Sequence, residues 1–68
     1  MKFIPGTKFI NNTMSNTKLF KRGVLYKLHN IKKIDDGFTY IFSVNGELKD
    51  INFASTEQAD EWLETIKV

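Results

Sequence analysis

The chain contains no cysteine, and only one proline, one histidine and one tryptophan. The first absence excludes a disulfide framework, a thiolate nucleophile and any zinc or iron–sulfur centre held by cysteine. Small exported domains are usually stapled by disulfides, so a cytoplasmic setting is expected. Long apolar runs are missing as well. Met1-Lys2-Phe3-Ile4 meets Pro5-Gly6 at once, leaving no room for a signal-peptide core of roughly 7–15 apolar residues. No later stretch approaches the roughly 18 apolar residues of a membrane span, and no membrane partner is expected.

The catalytic vocabulary is equally thin. No glycine-rich phosphate loop, Gly-x-Ser-x-Gly elbow or zinc spacing occurs. His29 stands alone, and a dyad with Asp35 or Asp36 would lack the pocket that catalysis needs. Asp35-Asp36 precedes Gly37, which is ordinary turn chemistry, and no third carboxylate stands at a metal-binding spacing. Neither an enzyme nor a cofactor or metal site is expected. The Asn11-Asn12-Thr13 sequon carries no weight in a chain not expected to be exported.

What is present suits one small globular domain spanning residues 1–68. Hydrophobic residues make up 41% of 68 and nine are aromatic, which is enough for a single core and too apolar for disorder. Charge is uneven: residues 1–54 carry nine basic and four acidic side chains, and residues 55–68 one and four, for a net +2 overall. Such a molecule can orient itself toward a charged partner.

Turn signals divide the chain into short strands. Pro5-Gly6 sets a bend before a strand over 7–10, and the Asn- and Thr-rich stretch 11–17 reads as a loop. Val24, Tyr26 and Leu28 begin an alternation that predicts a long, bent strand over 24–34. Asp35-Asp36-Gly37 suits a three-residue hairpin loop ending in a left-handed glycine bulge. In the next strand, 38–44, Phe38, Tyr40, Phe42 and Val44 share one face.

Asn45-Gly46 is the strongest sign of a two-residue type I′ turn. Counting from it pairs Val44 with Glu47, Phe42 with Lys49, Tyr40 with Ile51 and Phe38 with Phe53, placing the large apolar groups of strands 38–44 and 47–53 together. Ser55 and Gln58 form a capping box for a helix over 56–67, whose stripe is Ala59, Trp62, Leu63 and Ile66. The expected fold is mainly β within the α+β class: an antiparallel meander closed by one amphipathic helix.

Lys18, Lys21, Arg22, Lys27, Lys32 and Lys33 flank Phe20 and Tyr26. Cations beside aromatics are what nucleic-acid surfaces use for phosphate contact and base stacking. Lysines also blunt strand edges, and Phe20 and Tyr26 suit a core equally well. The candidate contact set is therefore Lys18, Phe20, Lys21, Arg22, Lys27, Lys32 and Lys33, for either a protein or a nucleic acid.

Pro5-Gly6-Thr7-Lys8-Phe9, a loop, Lys21-Arg22-Gly23-Val24-Leu25-Tyr26-Lys27 and two tight hairpins together resemble, over residues 5–53, the small SH3-like β-barrel proteins of large tailed bacteriophages. A C-terminal helix stands where such a barrel carries its last strand. The resemblance implies a binding role in a host bacterial cytoplasm, with a host protein as the partner that is modulated or inhibited. Nucleic acid bound by the basic residues is the alternative. An enzyme centred on His29 and an oligomer sequestering a small ligand have no supporting motif.

Overall fold

The turn chemistry at 45–46 organises the sheet. In the computed structural model, which describes residues 2–10 and 23–66, Asn45 and Gly46 adopt φ of 50° and 84°, as a type I′ turn requires. The flanking strands pair in the register counted from that turn, Val44↔Glu47, Phe42↔Lys49, Tyr40↔Ile51 and Phe38↔Phe53. The strands are β1 Lys8–Ile10, β2 Leu25–Ile34, β3 Gly37–Val44 and β4 Glu47–Phe53, followed by helix α1 Thr56–Glu64. They form one antiparallel sheet in the order β1-β2-β3-β4, with β1 and β4 as its edges. The sheet is open rather than closed into a barrel.

The turn between β2 and β3 differs from the expected glycine bulge. Ile34 pairs with Gly37, so the loop is Asp35-Asp36 alone and the glycine belongs to β3 at φ 148°. Its role is tertiary: a Cβ placed there would lie 2.1 Å from the Phe53 carbonyl oxygen, where β4 hands over to the helix.

The bend in β2 has a definite origin. Leu28 pairs with Phe42 and Asn30 with Ile41, leaving His29 as an extra, exposed residue. This bulge reverses the alternation. Tyr26 and Leu28 point into the core before it, and Ile31 and Lys33 stand on that face after it, opposite Tyr40 and Phe38. At the irregularity the Asn30 carboxamide accepts from the Ile31 N–H at 2.8 Å.

Helix α1 starts as its sequence dictates. Ser55 Oγ accepts from the Gln58 N–H at 3.1 Å, and Gln58 Oε1 accepts from the Ala54 N–H at 2.9 Å, one residue earlier than the reciprocal bond of an ideal capping box. The helix ends at Glu64 rather than 67. The Thr65 N–H turns back to the Trp62 and Leu63 carbonyls, and Ile66 still reaches the core.

The core lies between one sheet face, α1 and the N-terminal segment. Phe9, Leu28, Tyr40, Phe42, Ala59 and Leu63 are fully buried, and Trp62 and Phe53 pack against them. Phe3, whose place in the core the sequence pattern did not signal, meets Phe9 edge-on at 5.2 Å, and Phe9 meets Phe42 at 6.1 Å. Tyr40, Phe53 and Trp62 form a second chain of rings at 5.3 and 5.6 Å. Lys2 secures this end: its ammonium pairs with Glu64, and its N–H donates to the Asp60 carboxylate at 3.1 Å.

One polar atom breaks the pattern, since the buried Tyr40 hydroxyl has no hydrogen-bond partner among the described residues. A buried unsatisfied donor costs roughly 1–3 kcal/mol, so Tyr40→Phe is expected to stabilise the domain by about 1 kcal/mol in urea unfolding at neutral pH. Burial, and then the negative charges of Asp60 and Glu57, raise the Tyr40 pKa above 10.0. The unfolded chain therefore releases this proton first, and the wild type loses stability as pH rises past about 10. Tyr40→Phe removes that contribution, so its advantage should widen between pH 9 and about 11. An unchanged difference across that range would show that the hydroxyl finds a partner.

Candidate functional site

Because opposite residues of an antiparallel pair share a face, the register sorts every strand side chain. Phe9, Tyr26, Tyr40, Phe42 and Val44 point to the helix side and are buried. The other face carries Lys8, Ile10, Leu25, Lys27, Asn30 and Lys32 from β1 and β2, and Thr39, Ile41, Ser43, Leu48, Asp50 and Asn52 from β3 and β4. Among the described residues no element lies over this face. Leu25 and Leu48 are 48% and 61% exposed there, and an open depression is lined by Ile41, Leu48, Lys49 and Asp50. Thr39 Oγ1 and Asn52 Oδ1, 2.7 Å apart, tie β3 to β4 on this face.

Of the seven candidate contact residues, Lys27 and Lys32 lie exposed on the open face. Lys33 stands on the opposite one, its ammonium 5.1 Å from the centroid of the Phe38 ring, a cation–π contact with the half-buried edge of the core. Lys18, Phe20, Lys21 and Arg22 lie outside the described residues. Tyr26, the other aromatic flanked by these cations, is 2% exposed and belongs to the core.

Lys8 was missing from the candidate set. It pairs with Lys27 on the open face, next to the pair Ile10 and Leu25. Like charges directly opposite one another destabilise a strand pair, and no ion pair to a described carboxylate offsets either lysine.

The charge distribution is sharper than a division near the helix suggests. Lys2, Lys8, Lys18, Lys21, Arg22, Lys27, Lys32 and Lys33 all precede Asp35, and no acidic residue does; all 8 acidic residues lie from Asp35 onward, with only Lys49 and Lys67 among them. The first 34 residues thus carry +8 and the rest −6, consistent with the net +2. Strand order turns this into a spatial gradient, because β1 and β2 come from the basic half and β4 and α1 from the acidic half. On α1, Glu57, Glu61 and Glu64 are exposed. Glu57 is held below the ordinary carboxylate range by its own backbone N–H and then by the Thr56 hydroxyl.

His29 sits exposed on the bulge, and no described hydrogen bond or ion pair links it to Asp35 or Asp36. Among the described residues, no three His, Asp or Glu side chains converge as metal ligands, and no helix is long and apolar enough to cross a membrane. The open face presents aliphatic side chains, lysines and neutral polar groups, with Asp50 on β4, and no described element covers it. No protein-family model, curated protein or solved structure matches the chain.

Proposed function

We propose that this chain is a non-enzymatic protein-binding module that presents the open face of its sheet to its partner. The observation that carries this reading is the exposure of Leu25 and Leu48 on a face left uncovered by the helix. Exposed aliphatic groups rimmed by charge characterise protein contact surfaces. The resemblance of the sequence over residues 5–53 to the small SH3-like proteins of large tailed bacteriophages supports extending the reading to a host protein in a bacterial cytoplasm.

Nucleic-acid binding through Lys18, Lys21, Arg22, Lys27, Lys32 and Lys33 is the second reading, favoured by the +8 carried by the first 34 residues. The aromatic side chains weigh against it. Phe3, Phe9, Tyr26, Tyr40 and Phe42 are buried in the core, and Phe38, Phe53 and Trp62 pack against it. Among the described residues the open face therefore offers no ring for base stacking.

Affinity capture from bacterial lysate, with and without nuclease, separates the two. A stoichiometric protein that survives nuclease, and whose recovery falls at least about tenfold with Leu25→Glu/Leu48→Glu, is the expected result. Both leucines are exposed, so the double variant should unfold within about 0.5 kcal/mol of the wild type per site. Nucleic acid eluting alone at moderate salt would overturn the proposal in favour of the second reading.

A further inference from the structure

The basic edge of the open face identifies the partner's chemistry more closely. We infer that the ladder Lys8–Lys27 beside Ile10–Leu25 docks an acidic, aliphatic segment of a protein, with carboxylates seated at the lysine pair and an aliphatic side chain on the Ile10–Leu25 pair. This rests on the open face being the binding surface.

Three observations converge on that strip. Lys8 and Lys27 oppose each other directly, both exposed, and no described carboxylate pairs with either. An incoming carboxylate between two such ammonium groups turns a repulsive pair into two attractive ones. The sequence between β1 and β2, residues 11–24, contains Lys18, Lys21 and Arg22 and no acidic residue. Asp50 is the one described carboxylate on the open face, and it lies on β4, at the far edge of the sheet from β1.

Spacing refines the match. Along a strand, residues two apart on one face stand about 7 Å from each other, the distance from Lys8 to Ile10 and from Lys27 to Leu25. An extended Glu-x-Leu segment has the same repeat. The aliphatic half of the strip favours a protein over a phosphate backbone, which offers no apolar group at that spacing.

The test uses the full chain, isotopically labelled, and two fluorescent peptides: three Glu-Ser-Leu-Ser repeats, and the same peptide with Gln in place of Glu. A thymidine oligonucleotide of similar length is the third probe. The Glu peptide should bind with amide shifts centred on Lys8, Ile10, Leu25 and Lys27. Its affinity should fall about tenfold or more with Lys8→Glu/Lys27→Glu, and by a similar factor when Gln replaces Glu. Lys33→Glu, on the opposite face, should leave it within about twofold.

Equal binding of the two peptides, indifference to Lys8→Glu/Lys27→Glu, shifts confined to β4, or tighter binding of the oligonucleotide would each overturn the inference. A protein captured from lysate that is lost with Leu25→Glu/Leu48→Glu, yet retained by Lys8→Glu/Lys27→Glu, would sink this inference while leaving the open-face reading intact.

Discussion

Replacing Gly37 with alanine is expected to abolish cooperative folding. The new methyl would stand 2.1 Å from the Phe53 carbonyl oxygen and 3.0 Å from Ala54 Cα, both backbone atoms with no flexible end to give way. The φ of 148° adds strain for any residue with a Cβ. Relief requires the chain at 53–54 to retreat, carrying the Phe53 ring away from Tyr40 and Trp62 and pulling Ala54 from its bond to Gln58. Strain and lost packing together should cost about 3 kcal/mol or more. A chain of 68 residues has a total stability of only about 3–10 kcal/mol. Gly46→Ala is the control: its φ is also positive, at 84°, but nothing lies within 4 Å of the new atom. It should cost about 1 kcal/mol, so thermal melts should show a sharp transition for Gly46→Ala and none for Gly37→Ala.

The second large effect is expected at Phe42. This ring is fully buried on a central strand, between Leu28 on β2 and Lys49 on β4, with Phe9 edge-on above it. Phe42→Ala should cost about 3–5 kcal/mol through lost burial and the cavity left behind. Ile41→Ala, one residue away on the half-buried open face, should cost no more than about 1.5 kcal/mol. The comparison is read from urea midpoints at unchanged slope. Similar losses at both positions would mean that the open face is covered in solution.

How far the sequence reveals this molecule depends on whether its signals are local. The β3–β4 register was legible because Asn45-Gly46 and the alternation from Phe38 to Val44 point independently to one pairing. Ser55 and Gln58 marked the helix start equally well. The bulge at His29 was not legible, since one extra residue changes the phase of a strand without requiring a particular side chain. Gly37 looked like a turn residue because its real constraint, the Phe53 carbonyl, comes from sixteen positions further on.

The candidate site was half visible for the same reasons. Lys32 and Lys33 are neighbours in one strand, so strand geometry alone forbids them a common face. Lys8 was hidden because β1 meets β2 across a fourteen-residue connection with no turn signal in its sequence to set the register. The change of sign at Asp35, in contrast, needed only the letters.

That connection also sets an order of events. β2, β3 and β4 are joined by two-residue turns, so their pairing is local and quick to form. β1 must close fourteen residues to gain three pairs, at an entropic cost of about 2 kcal/mol beyond a constant. Phe9, buried between Phe3 and Phe42, provides the main return for that closure. It follows that β1 is the last strand to join the sheet and the first to leave it. The Lys8–Lys27 pair exists only while Phe9 is docked, so the cationic strip reports on the folding of its own edge strand.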